Sequence, residues 1–199
     1  DALIMAFVRS TLPSGIIRSI DFAVAEKMPG VVAIFTGNDL ASEGIGCFLP
    51  RLRRDSPDGK PMNIPAFPPL ACDVVKFIGD PIAMVIADTK HNAQAAVDCV
   101  SVEIDEKPSV VDVETASRSE SPVVWPEFGT NHCFSVTVGE AKETSQAIRS
   151  ARYVVQNDFD ISRVTAATIE PRNVLASFDE KNKNFRLDLG TQTPHRIAP

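Results

Sequence analysis

Short β-branched segments, each too brief to be a helix, recur along this chain between turn formers, and only a few stretches carry apolar residues at helical spacing. Ala2 to Arg9 and Ile16 to Ile20 are two such segments, parted by Pro13-Ser14-Gly15, and they predict a hairpin or a tight strand pair. Asp21 is placed to cap a short helix over Phe22 to Lys27, Pro29-Gly30 ends it, and Val31 to Phe35 reads as a buried strand. Val74 to Ile78 and Ile82 to Ala87 flank Gly79-Asp80-Pro81 and predict two more strands. Asn92 to Val100 places Ala93, Ala96, Val97 and Val100 on one face, as an amphipathic helix does, and Val102 to Ile104 reads as the strand after it. Such a chain has to lay one-sided helices on a mixed sheet, so the expected class is α+β.

Two stretches break the alternation. Asn38 to Pro69 is rich in turn formers and reads as one long loop, a feature that is either functional or mobile inside a compact domain. Its Arg51, Arg53 and Arg54 are a solvated basic turn on the simpler reading and a surface for an acidic patch on the sharper one. Ala116 to Pro126 shifts to Ser and Pro and marks a connector. The expected division is therefore residues 1–116, a connector over 117–130, and a second domain over 131–199. In that second domain Cys133 to Val138 and the alternating Tyr153 to Ile161 predict strands, and Glu140 to Ser150 predicts a helix. Val174 to Phe178 and Phe185 to Leu189, around the turn Asp179 to Asn184, predict a β-hairpin.

Several functions are disfavoured at once. Twenty Lys plus Arg against twenty-six Asp plus Glu leave a net charge of -6, which argues against a nucleic-acid partner. No apolar run approaches the roughly 20 residues that cross a bilayer as a helix. Cys47, Cys72, Cys99 and Cys133 form no C-x-x-C pair and read as four separate reduced thiols, which with a chain of this size favours a reducing cytoplasm. His91, His132 and His195 are scattered, so no metal site is expected. Gly44-Ile45-Gly46 is only a scrap of a dinucleotide fingerprint. Glu103 and Asp105 share one strand face and read as solvated edge charges. The chain opens without an initiator Met or a basic leader, as a fragment of a larger polypeptide would.

Three blocks carry more than this. The first is Ala6-Phe7-Val8-Arg9-Ser10, Ile17-Arg18-Ser19-Ile20-Asp21 and the run from Met28-Pro29-Gly30 to Asp39-Leu40. The second joins Pro69-Leu70-Ala71, the run Val75 to Ala87, the alanine-rich helix and Val102-Glu103-Ile104-Asp105. The third is Ile169-Glu170-Pro171-Arg172-Asn173-Val174 with Gly190-Thr191-Gln192-Thr193-Pro194-His195. In order and spacing they resemble the large subunits of the molybdenum hydroxylases, the xanthine dehydrogenase, aldehyde oxidase and carbon monoxide dehydrogenase family. The resemblance implies an α/β hammerhead domain followed by the first β-rich part of a molybdopterin-binding domain.

It also implies a function. Family members hydroxylate aldehydes, N-heterocycles or related small molecules with oxygen from water, or oxidise carbon monoxide, and pass electrons through iron-sulfur clusters to FAD on partner subunits or domains. Gln192 matches the glutamine of the family's T-Q-x-P-H block, whose amide bonds an oxo ligand of molybdenum, and it is the one cofactor contact expected here. Glu170 and Arg172 match too and are expected to be a buried structural pair. Thr11-Leu12-Pro13-Ser14-Gly15 departs from the His-containing segment often found there. No catalytic residue is expected within the chain. Its implied partners are the remainder of the large subunit, the iron-sulfur and FAD subunits and a small-molecule substrate, in an oligomeric enzyme. The alternatives are a non-catalytic docking subunit of a split molybdenum hydroxylase and, more remotely, an unrelated small-molecule binding protein.

Overall fold

The computed structural model describes residues 2–50, 52–162 and 164–197, which fall into two units, Asp1–Gly139 and Glu140–Pro199. In the first, β1 (Ile4–Arg9), β3 (Val31–Thr36) and β5 (Pro81–Ala87) form an antiparallel sheet in the order β1-β5-β3. β2 (Gly15–Asp21), β4 (Val74–Val75) and β6 (Ser101–Glu106) form a second, in the order β4-β2-β6. β5 is central because Pro81-Ile82-Ala83-Met84-Val85-Ile86-Ala87 holds no charged residue and can be covered on both faces; Ile82, Ala83, Val85 and Ala87 are buried. Pro81 stands at its first position, where a missing N–H costs least.

Helix α2 (Lys90–Asp98) lies against this sheet. The Thr89 hydroxyl accepts the Asn92 N–H and starts it, while Ala93 and Ala96, both wholly buried, let its backbone come close to the strands. Val8, Ala25, Ala83, Val85 and Ala96 make up one core, with Phe22, Met28, Val31, Ile34, Val97 and Val100 packed around it. A second core of Ala71, Val75 and Ile82 is flanked by Ile17, Ile20, Val102 and Ile104. Gly30, at φ 80°, turns the chain into β3 where a Cβ would run into the Asp88 and Asn92 side chains.

Differences from the sequence expectation are specific. β1 and β2 are not a hairpin but belong to different sheets. The chain leaves β1 at Ser10, whose N–H donates to Asp80 O at 2.9 Å and whose carbonyl accepts Gly79 N–H at 2.8 Å, so it turns toward the 79–80 corner instead of folding back. β3 is a half-buried edge strand rather than a buried one. The expected helix over Phe22 to Lys27 contracts to a 3₁₀ turn, Ala25–Lys27. The long loop starts later than expected: Thr36 and Asp39 form a capping box that holds α1 (Gly37–Ser42). Of Val74 to Ile78 only Val74–Val75 pairs. α3 (Val113–Ala116) precedes the expected connector, which holds a 3₁₀ turn, Pro126–Phe128; Asn131 ties the end of α3 to the stretch before that turn, its amide accepting Val124 N–H and donating to Ala116 O and Pro122 O.

The second unit contains α4 (Ala141–Ser150), the hairpin β7 (Val174–Asp179) and β8 (Asn184–Leu189), and α5 (Pro194–Ile197). The helix and the hairpin are those the sequence predicts. Register places Val174, Ala176 and Phe178 opposite Leu189, Leu187 and Phe185, so one face of the ribbon is entirely apolar, and Phe178 and Phe185 meet at 4.8 Å between ring centroids. Tyr153 to Ile161 is exposed and unpaired, and so is Cys133 to Val138 in the first unit, although both were expected as strands. Alternation favours an extended chain, but a strand exists only against an edge.

Candidate functional site

β8 ends at Leu189, and the next residues make the turn that carries the expected cofactor contact. Thr193 N–H donates to Thr191 Oγ1 at 3.2 Å and bends the chain, and Pro194 opens α5 with the φ that its ring presets. Gln192 sits at the apex of this bend, exposed, with no hydrogen bond among the described residues. Glu170 lies beside the base of the turn: a Cβ added at Gly190 would stand 3.8 Å from its Oε1. Its carbonyl accepts the Thr168 hydroxyl at 2.8 Å.

The expected buried Glu170–Arg172 pair is not formed. Both residues are exposed, and no ion pair joins them, because the two-stranded ribbon beside them has too little mass to bury a charge. Glu103 and Asp105 are exposed on β6, as the sequence suggests, but each has a cross-strand partner: Asp105 pairs with Arg18, and Glu103 accepts the Ser19 hydroxyl at 3.3 Å. Arg53 and Arg54 are exposed on the long loop, and Arg51 lies outside the described residues. All four cysteines are free, and among the described residues no cluster of three His, Cys, Asp or Glu side chains could hold a metal ion. His132 Nε2 stands 3.1 Å from Ser135 Oγ on an exposed segment.

The first unit also has a cleft of about 260 Å³ that sequence reasoning did not find. Phe67, Trp125, Lys76, Asp80, Cys47 and Cys72 are among its walls. The Lys76 ammonium lies 5.6 Å from the centre of the Trp125 ring, and the indole N–H donates to Ala66 O at 3.3 Å. Asp80 is nearly fully buried, and burial pushes its carboxyl above the usual value even though the Lys76 N–H and the Lys76 charge oppose the shift. These residues are scattered from position 47 to 125, so no local pattern announces them.

The model of the aldehyde oxidase and xanthine dehydrogenase a/b hammerhead domain matches residues 1–108, more than half of the chain. The chain belongs to the aldehyde oxidase and xanthine dehydrogenase family. Further along the chain, the model of the molybdopterin cofactor-binding domain matches residues 124–198. The chain is 29% identical over 193 residues to the nicotine 6-hydroxylase large subunit of Paenarthrobacter nicotinovorans, covering 96% of this chain and 22% of that protein. It is 29% identical to the carbon monoxide dehydrogenase large chain of Hydrogenophaga pseudoflava, covering 97% and 24%. The solved structure of reconstituted CO dehydrogenase from Oligotropha carboxidovorans superposes with a TM-score of 0.82 at 26% identity, over 98% of this chain and 24% of that one. The chain thus spans about a quarter of the length of the curated relatives it matches. Among the described residues no helix is long and apolar enough to cross a membrane.

Proposed function

We propose that this chain is the N-terminal part of the molybdopterin-binding large subunit of an oxidoreductase that hydroxylates aldehydes, N-heterocycles or related small molecules with oxygen from water, or oxidises carbon monoxide. The observation that supports this most is the order of the two matched domains, hammerhead over 1–108 and cofactor-binding over 124–198, with the Gln192 turn inside the second. The reading keeps a hammerhead domain over 1–116, a connector over 117–130 and the beginning of the molybdopterin-binding domain over 131–199.

Gln192 is the cofactor contact in this reading. Its amide is neutral, exposed and uncommitted among the described residues, and its N–H₂ suits an electron-rich oxygen of a bound cofactor, so the donor chemistry fits. The bend made by Thr191 and Thr193 orients that amide, and Pro194 stiffens the exit. When bound, the molybdenum cofactor supplies oxygen transfer and takes up the electrons of the oxidation. Iron-sulfur and FAD subunits, an oligomeric assembly and a cytoplasmic location complete the reading.

Metal and pterin analysis of the full-length protein, produced together with its neighbouring subunits, tests it. Molybdenum and pterin in near-equal amounts with the large subunit are the expected result; a well-folded assembly containing neither overturns it.

A further inference from the structure

Two of the four free thiols, Cys47 and Cys72, line the same cleft. Cys47 is exposed on the stretch that follows α1, next to Gly44 and Gly46, where an added Cβ would meet only open space. The start of that stretch is tied back to α1 by Ile45 N–H, which donates to Leu40 O at 3.0 Å, and beyond Cys47 the Phe48 N–H donates to Phe67 O at 2.7 Å, with the two rings 6.1 Å apart. Cys72 is anchored differently. It follows the buried Leu70 and Ala71, and Ala71 N–H donates to Pro81 O at 2.7 Å, so the body of the fold fixes its backbone. Burial lifts the Cys72 thiol above its usual value, and Asp73 and Cys47 lift it further.

We propose that Cys47 and Cys72 form a reversible dithiol–disulfide pair which, when oxidised by a low-molecular-weight disulfide, ties the stretch after α1 to the loop before β4 and narrows the cleft. The glycine-flanked side moves and the anchored side receives it, bringing the Cα atoms within the roughly 4.4–6.8 Å that a disulfide needs. Exposed Cys47 reacts first: its thiolate attacks one sulfur of the oxidant, forming a mixed disulfide and releasing one thiol. Cys72 then loses its proton to solvent and attacks the Cys47 sulfur, releasing the second thiol. Two protein S–H bonds are lost, one protein S–S bond forms, and the electron pair ends on the two released thiols. Because the Cys72 thiol is held protonated, this closing step is the slower one and accelerates with pH.

The test treats the native full-length protein with oxidised glutathione, followed by acid trapping, alkylation, digestion and mass spectrometry without reduction. The expected product is a cross-linked Cys47–Cys72 peptide pair that forms roughly tenfold faster at pH 8 than at pH 7. It disappears in Cys47→Ser and persists when Cys99 and Cys133 are both replaced by Ser. Lasting glutathione adducts on Cys47 without the cross-link overturn the proposal. So do cross-links spread over all four cysteines, in the pattern of guanidinium-unfolded protein.

Discussion

The main-chain N–H of Lys76 donates to the carboxylate of Asp80 across 2.9 Å, and Asp80 is 6% exposed. The same corner receives Ser10, whose N–H reaches Asp80 O, and Arg9, whose guanidinium donates to Gly79 O at 2.8 Å. One buried acid thus closes the turn into β5 and sits where β1 hands the chain onward.

Burial raises the Asp80 carboxyl, so the folded state favours its protonated form. Its contribution to stability is complete below the unfolded-state value and is lost as pH climbs through the raised folded one. Asp80→Asn keeps an acceptor for Lys76 N–H and carries no charge. Its thermal midpoint relative to the wild type is therefore expected to rise between pH 3 and pH 6, measured by thermal melts across that range.

The α1 capping box has the opposite dependence. The Thr36 hydroxyl and main chain hold the Asp39 carboxyl below its usual value, so this support is present above the unfolded-state value and lost as pH falls through the folded one. Thr36→Ala is expected to cost about 1 kcal/mol near neutrality and less in acid. Hydrogen exchange over residues 39–42 reads it directly.

Ile82 is 1% exposed between Ala71 and Val75. Ile82→Ala leaves a cavity at the start of the central strand and should destabilise the first unit by about 2–5 kcal/mol in urea unfolding. Ile82→Val, which removes one methylene, should cost about 0.5–1.5 kcal/mol.

Gly30→Ala places a side chain at positive φ and against Asp88 and Asn92. A loss above about 1 kcal/mol is expected, larger than for an exposed helical glycine, because strain and collision act together. Calorimetry of the variant checks it.

On the proposed cofactor contact, Gln192→Ala in the full-length protein should lower kcat/KM roughly two- to twelvefold, the loss of one hydrogen bond of about 0.5–1.5 kcal/mol. Gln192→Glu, which cannot donate when ionised, should be at least as impaired. Steady-state assays at equal molybdenum content separate this from cofactor loss.

Where the sequence was legible, local pattern and tertiary demand coincide. Ala93, Ala96 and Val97 announce α2 because the face they mark is the one the sheet covers, and the ribbon β7–β8 follows from alternation on either side of a polar four-residue turn. Where it was not, the deciding partner is distant. Ser10 gives no sign that it will bond to residues 79 and 80, so the β1–β2 hairpin looked natural. Val154 and Phe159 alternate like strand residues but have no edge to join. Glu170 and Arg172 suggested a buried pair only because burial was assumed, while the Gln192 turn depended on a block of five residues whose meaning no propensity contains.

The strand order β1-β5-β3 also dictates when the first unit can fold. Its central strand comes last: β1 and β3 both pair with β5, so residues 4–9 and 31–36 have no mutual ladder and must wait for residues 81–87. The second sheet waits longer still, since β2 is completed by residues 101–106. On a ribosome, roughly the hundred residues from β1 to β6 would therefore emerge with their apolar strands unpaired, a long interval of high contact order in which a chaperone has more to do than the small size of the finished unit suggests.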